Sequence, residues 1–359
     1  LQFSYFDARK DTTKNFLPHE ASGPLAEVLA VGFAGIHLST RTVEIDIRVT
    51  KKGKVLVGRR ATTGVEVDTA HNRTKDVPLP EGQANRVLEV MGVLNRHGQV
   101  RPTMRAKYTQ INEFLKQLRH ALEIAGMRSH GRTIEILDCG CGSSYLTIAA
   151  HHYLNDRLGI PARITGVDVN EEVIRTSIEK SARLEADGLA FNCNQIGVLN
   201  TRADIVLALH ACDTATDDAI AQAIRADAQI VLSVPCCHKY LNKQLRAEGP
   251  SMVLRPMMRH GILLQRTADL VTDAFRALVL RILGYRTDVV EFVSTEHTAR
   301  NVMIRAVRGA PVGEANFVAE YVAMKTFWGV TPYLEPLLGE TFQRLLGGAV
   351  TPKVAAPGV

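Results

Sequence analysis

The chemistry-bearing residues of this chain begin with a pair of acids and a pair of glycines. Residues 133–142 read Thr-Ile-Glu-Ile-Leu-Asp-Cys-Gly-Cys-Gly, an apolar strand that delivers Asp138 into a turn built on Gly140 and Gly142. A second apolar run, Arg163-Ile-Thr-Gly-Val-Asp168, also ends on an acid. Glycines let backbone approach a ligand, and a carboxylate at the next strand tip can accept both hydroxyls of a ribose. These residues, with Ser143 and Val169 beside them, predict a nucleoside pocket.

What the turn lacks narrows the ligand. A dinucleotide fingerprint needs a third glycine where Tyr145 stands, and a phosphate-cradling loop needs a Gly-Lys-Ser or Gly-Lys-Thr that the sequence does not contain. An acid at the strand end repels a diphosphate and suits a cation. S-adenosyl-L-methionine carries an ammonium group and is the expected cofactor.

A second set of residues follows two later strands. In an open α/β sheet the ligand crevice lies beyond the carboxyl ends of the strands. Leu209-His-Ala-Cys-Asp-Thr-Ala-Thr-Asp217 and Val234-Pro-Cys-Cys-His238 place His210, Cys212, Asp213, Cys236, Cys237 and His238 at such tips. His210 or His238 could take a proton from an acceptor, since imidazole titrates near neutrality. Cys236, after Pro235, has the look of a nucleophile for pyrimidine methylation. Cysteine and histidine from both loops could also hold zinc, although the C-x2-C spacing of ordinary sites is missing. The fourth alternative is plain packing. The expectation is that the two adjacent cysteines pack as small residues beside the cofactor, that no metal is bound, and that His238 or His210 with Asp213 orients the acceptor.

An open sheet must bring these residues together, and the sequence has its pattern. Strands are expected at 133–138, 163–168, 189–193, 204–209 and 228–234, alternating with helices. Two further runs, 287–293 and 301–306, lie too close for a parallel crossover and predict an antiparallel hairpin. An amphipathic helix over 102–126, with Tyr108, Ile111, Phe114, Leu115, Leu118 and Leu122 on one side, leads into the glycine turn. Two helices are expected within 311–347, and a disordered tail from Gly348. Before residue 100, helical spacing over 22–34 and 81–94 and a hairpin over 43–57 predict a small α+β domain.

A chain of 359 residues accommodates one large domain and a smaller one. No window approaches the run of about 18 apolar residues that a membrane span requires. The first residues lack the regions of a signal peptide. Six cysteines, two of them adjacent, make no disulfide framework, and a reducing cytoplasmic location is expected. The chain opens on Leu1 rather than Met, as expected of a trimmed sequence.

Taken together, the segments 209–217, 235–238 and Glu296-His-Thr-Ala-Arg-Asn301 resemble class I methyltransferases with a C-C-H signature. These include proteins related to the methyltransferase part of the glutathione S-transferase C-terminal-domain-containing protein. The segments are more distantly similar to tRNA 2′-O-methyltransferases. The resemblance spans residues 102–308 and implies an α/β fold, a Rossmann-like class I methyltransferase sheet with an antiparallel terminal hairpin. It also implies that Asp138, Gly140 and Gly142 hold the methionine end of the cofactor, Asp168 the ribose, and the loop from Leu209 to Asp213 the site of transfer. Lys107 and Gln110 resemble the K-x-x-Q-I helix that precedes the glycine turn in such proteins. Asp213 stands where the tRNA enzymes have glycine, and Lys239 where they have a second histidine, so their 2′-O activity does not carry over directly. An Asn-Pro-Pro-Tyr motif after strand four, a mark of exocyclic-amine methylation, is absent.

The net charge of +6 admits a polyanionic partner. Arg48, Lys51, Lys52, Lys54, Arg59, Arg60, Arg73 and Lys75 gather on and after the N-terminal hairpin, where they could track a phosphate backbone. The expectation is an S-adenosylmethionine-dependent methyltransferase acting on RNA, either rRNA or tRNA. The alternatives are a methyltransferase for a protein or small molecule, and a non-catalytic module that binds the cofactor.

Overall fold

Strands with no polar face must be covered on both sides, and Ile205–Ala208 and Ile230–Ser233 are buried at every position. They form the middle of a seven-stranded sheet in a computed structural model. The structure describes residues 2–6, 11–39, 43–50, 53–61, 77–81, 85–129, 131–198, 201–209, 211–248, 252–292 and 302–347. The chain divides into two compact units, Leu1–Lys75 and Asp76–Val359.

The first unit holds a hairpin of β1 (Gln2–Phe6) and β2 (Asp11–Asn15), a helix α1 (Ser22–Ala30), and an antiparallel sheet of β3 (Gly35–Ser39), β4 (Val43–Val49) and β5 (Val55–Ala61). The predicted hairpin is therefore part of a three-stranded sheet. Its register pairs Glu44 with Arg60 and Ile45 with Arg59, so these two arginines lie on opposite faces. Arg48 and Arg60 share their face with Glu44 and Asp46. The expected basic surface is thus interleaved with acids and split between faces. Lys51, Lys52, Arg73 and Lys75 lie outside the described residues.

The second unit begins with α2 (Arg86–Val90) and α3 (Arg105–Ile124), then alternates strand and helix. In order come β6 (Ile134–Cys139), α4 (Tyr145–His152), β7 (Ala162–Asp168), α5 (Glu171–Leu184), β8 (Leu189–Cys193), β9 (Ile205–Ala208), α6 (Thr214–Arg225) and β10 (Ile230–Ser233). They are followed by α7 (Lys239–Glu248), α8 (Arg255–Met258), α9 (Gly261–Ile282), β11 (Tyr285–Glu291), β12 (Val302–Arg308), α10 (Ala315–Trp328), α11 (Leu334–Leu337) and α12 (Gly339–Gly347). The sheet order is β11-β12-β10-β9-β6-β7-β8, parallel except for β12, which runs antiparallel to both neighbours. This is the predicted Rossmann-like arrangement with its terminal hairpin.

Alternation along the strands sends side chains to two cores. Ile205 and Leu207 join one with α3 and α4, and Val206 and Ala208 join the other with α6 and α9. The expected face of α3 is buried, including Ile111, Phe114, Leu115 and Leu118. The helix expected at 81–94 is only α2 among the described residues, because the Asn85 side chain caps it by accepting from the Val87 and Leu88 amides and Gly92 follows in a left-handed turn. The two helices expected within 311–347 are three, divided at Gly329 and Gly339, both at positive φ. The expected disordered tail lies outside the described residues. No helix among the described residues is long and apolar enough to cross a membrane.

The unit boundary falls well before the expected residue 100, for a reason visible in the contacts. The Leu79 amide donates to Asn112 Oδ1 at 2.8 Å, and Tyr108 Oη donates to the Leu79 carbonyl at 2.7 Å. Leu79, Leu88, Met91, Val93 and Leu94 are buried in the core shared with α3. A chain beginning at Val77 is therefore expected to melt in one cooperative transition. A chain beginning at Arg101 loses those side chains and should melt at least ~10 °C lower, given costs of ~2–5 kcal/mol for each large core residue. Equal melting temperatures by circular dichroism would return the boundary to residue 100.

Candidate active site

At the carboxyl end of β6 the chain must turn sharply, and it does so through Gly140 at φ +72° and Gly142 at φ +51°. The Gly140 and Cys141 amides both donate to the Val167 carbonyl, at 2.7 and 3.0 Å, which ties the turn to the end of β7. A Cβ on Gly140 would lie 3.2 Å from the Ala211 backbone, so this glycine also lets the loop after β9 approach. Asp168 ends β7. Its carboxylate accepts from the Gly142 amide at 3.0 Å and from the Asn170 amide at 3.0 Å, one on each oxygen. A carboxylate has about four acceptor positions, so those remaining are free for a diol.

Asp138 is buried, and its Oδ2 accepts from the Thr147 hydroxyl at 2.6 Å. Its Oδ1 is buried with no hydrogen-bond partner. Burial pushes this carboxyl up to about 7, against the lowering effect of Thr147, and the Asp168 charge adds to the rise. An orphaned buried oxygen of this kind matches the ammonium of a methionine moiety, whose arrival would stabilise the ionised form.

Two amines flank the same turn. Lys107 Nζ donates to Gln110 Oε1 at 2.7 Å and sits 5.6 Å from the centre of the Tyr145 ring. Lys180 Nζ donates to the Ser143 carbonyl at 3.0 Å and lies 4.9 Å over the same ring. Burial lowers the pKa of both lysines. Lys180 was not foreseen, and neither was Ser144, a buried left-handed residue whose hydroxyl donates to the Ser143 carbonyl and accepts from Ser177. Val169 is exposed and Leu209 is buried at the end of β9.

The loops after β9 and β10 meet as expected, but with different roles. His210 lies outside the described residues. Asp213 adopts φ +54° and ψ −120°, a region that favours glycine. Its Oδ1 accepts from the Tyr240 amide at 3.0 Å, and its carbonyl accepts from Arg276 Nη2 at 2.8 Å. Asp213 thus joins the two loops, while His238 pairs with Asp269 and Asp273 instead.

His238 is buried between two carboxylates of α9, with Nε2 2.8 Å from Asp273 and Nδ1 2.9 Å from Asp269. Burial alone would lower its pKa, but Asp269 and Asp273 outweigh it and raise the value to about 9. The two carboxylates favour the charged ring and occupy both of its nitrogens, an arrangement that does not suit the base role expected of it. Arg276 extends the network, pairing with Asp273 at 3.2 Å and with both oxygens of Asp217 at 2.9 and 2.7 Å. Asp269, Asp273 and Arg276 follow at helical spacing on α9, a pattern the sequence contained.

Cys212 Sγ lies 2.8 Å from Cys236 Sγ, which lies 3.9 Å from Cys237 Sγ. Burial pushes the Cys236 thiol up to about 12, and Cys212 adds to the rise. A thiol kept protonated by burial is a poor covalent nucleophile, which counts against pyrimidine attack.

Residues 106–244 match a family described as a methyltransferase domain. The chain carries an S-adenosylmethionine-dependent methyltransferase domain. No curated protein matches the chain. Among solved structures it is similar to the S-adenosylhomocysteine-bound methyltransferase PaMTH1 of Podospora anserina, at 14% identity and TM-score 0.38, covering 64% of this chain and 90% of that one. It is also similar to magnesium protoporphyrin IX methyltransferase of Synechocystis, at 16% identity and TM-score 0.36, covering 62% and 93%. A third likeness is a putative RNA methyltransferase of Pyrococcus horikoshii, at 14% identity and TM-score 0.35, covering 55% and 84%. Similarities this low say nothing of the acceptor.

Asp138 makes a pH-dependent prediction. Its folded value of about 7, against an ordinary 3.8, means that the ligand-free chain loses stability as pH rises between the two. Asp138→Asn removes that loss and is expected to melt higher than the parent at pH 8, with the difference shrinking toward acid. The same variant should bind S-adenosylhomocysteine at least about tenfold more weakly by calorimetry, since a charged hydrogen bond contributes ~1.5–3 kcal/mol. Asp168→Ala should lose affinity by a similar amount without the stability gain. Unchanged affinity in both folded variants would remove these residues from the cofactor site.

Proposed function

We propose that this methyltransferase acts on RNA. One observation carries the reading. The segment that follows the Pro-Cys-Cys-His turn carries Lys239, Lys243, Arg246, Arg255, Arg259 and Arg266, all exposed, and none forms an ion pair among the described residues. Exposed cations without an ion pair suit a phosphate backbone, and one of them, Arg266, lines the cavity next to the Cys-Cys-His turn. This rim takes the place of the N-terminal hairpin as the main candidate for RNA contact.

The cofactor supplies a methyl group on a sulfonium, transferred in line to a nucleophilic atom. The chain supplies position: Asp138 faces the ammonium, Lys107 is the nearby cation for the carboxylate, and Asp168 receives the ribose. The glycine turn lets backbone approach the ligand. Near the Cys-Cys-His turn, Pro235, Leu270, Val289 and Val302 line a cavity of about 320 Å³ with Cys236, His238, Arg266, Asp269 and Asp273. A cavity of this size accommodates a single base. The finer likeness to tRNA 2′-O-methyltransferases remains part of this proposal. It rests on the 209–217 and 235–238 segments, the third motif lying outside the described residues.

The same cavity supports a second reading, a small-molecule acceptor, because it is apolar-walled with two carboxylates at one side. Mass spectrometry of RNA nucleosides separates the two. Cells lacking the gene should lose one methylated nucleoside, and the purified chain should restore it. No change in any nucleoside, with methyl transfer to a small acceptor instead, would overturn the RNA reading. Replacing Lys243, Arg246 and Arg259 with Gln should weaken RNA binding and reduce the slope of log K against log salt by about 2, at ~0.7 for each phosphate no longer neutralised. Affinity for S-adenosylhomocysteine should not change.

A further inference from the structure

The sheet brings together three thiols from two loops. Cys212 follows β9, and Cys236 and Cys237 follow β10. Their Sγ atoms all lie within 4.8 Å of one another, and none is in a disulfide. We infer that Cys212, Cys236 and Cys237 bind one thiophilic divalent cation, zinc, beside the acceptor crevice. This goes beyond the methyltransferase assignment, does not depend on an RNA acceptor, and reverses the expectation that these cysteines only pack.

Tetrahedral zinc with Zn–S bonds of about 2.3 Å sets its sulfurs about 3.8 Å apart. Cys236 and Cys237 already stand at 3.9 Å. Cys212 stands closer to Cys236, at 2.8 Å, and is exposed, so a shift of about 1 Å outward completes the triangle. The ordinary C-x2-C spacing is unnecessary here, because adjacent strand ends do what a short loop does in a zinc finger. His238 is not the fourth ligand: both of its ring nitrogens face carboxylates of α9. Cys236 also lines the 320 Å³ cavity, from which a water or an acceptor atom takes the fourth place.

Three ligands and an open position are the arrangement of reactive zinc sites, whereas structural sites are closed by four protein ligands. Three thiol protons leave as three Zn–S bonds form. No oxidant or reductant is involved, and the loaded site carries one net negative charge. Zinc is preferred over the hard cations because the donors are all sulfur.

The full-length chain, purified under a phosphine reductant and loaded with zinc, should retain about one zinc per chain by elemental analysis after gel filtration. Cobalt in its place should give the near-ultraviolet sulfur-to-cobalt charge-transfer band and the intense visible bands of a tetrahedral thiolate site. Cys212→Ser, Cys236→Ser and Cys237→Ser should each weaken metal binding at least about tenfold, on the scale of losses from damaged metal sites. Cys193→Ser, outside the cluster, should not. Cobalt spectra of the intact chain need no variant and keep the test valid if a serine variant fails to fold. Folded protein with no bound zinc and no thiolate-cobalt band would overturn the inference. So would full retention of metal by Cys212→Ser.

Discussion

One buried guanidinium holds the acceptor end of the sheet together. Arg276 is almost wholly buried in α9, yet it reaches the Asp213 carbonyl, both oxygens of Asp217 and one of Asp273. Asp273 passes the connection to His238, and Asp213 passes it to the Tyr240 amide at the start of α7. The loop after β9, the loop after β10 and the helix packed beneath them are therefore one electrostatic unit. A buried charge left without its partner costs ~3–5 kcal/mol, so the members are mutually obligatory even though the network adds little to net stability. The cluster of Cys212, Cys236 and Cys237 rides on this frame.

The glycine turn after β6 and the acid that ends β7 were legible in the sequence, and the network behind the loops after β9 and β10 was not. Asp138, Gly140, Gly142 and Asp168 are read from short-range pattern, because a glycine at positive φ and an acid at a strand tip have meanings that depend on a few neighbours. The sheet was legible for the same reason: strands such as Ile205–Ala208 declare their burial in every residue. By contrast, the protonation of His238 depends on Asp269 and Asp273, which are remote in sequence and reach it only when α9 packs against the sheet. Lys180 reaches the glycine turn only because α5 folds back beside it. The early unit boundary rests on Leu79 meeting α3 across a loop, which periodicity does not register.

Two residues at the site violate local rules, and both violations sit where function is expected. Asp213 holds a backbone conformation suited to glycine, at a cost of ~1–3 kcal/mol. Asp138 keeps an unpaired oxygen in the core. Each cost is offset elsewhere, the first by the Tyr240 and Arg276 hydrogen bonds and the second by protonation or by a cation. A site that is unfavourable without its ligand gains specificity for it, since a neutral or anionic molecule does not relieve the buried charge.

The contacts at the tips of β9 and β10 bear on what their side chains can do. Both ring nitrogens of His238 face carboxylates, Asp273 at 2.8 Å and Asp269 at 2.9 Å, which favours the charged ring. A ribose hydroxyl must lose its proton as it attacks a sulfonium and needs a base in reach. An aromatic ring nitrogen attacks through a lone pair it already has. Among the described residues these contacts hold His238 in place and leave it no free nitrogen with which to take a proton from an acceptor. A hydroxyl acceptor would have to rely on His210, the other histidine of these loops, or on water activated at the three thiolates. The frame around Arg276 thus does more than hold the loops: through Asp273 it engages one of the two histidines that the sequence offered as bases.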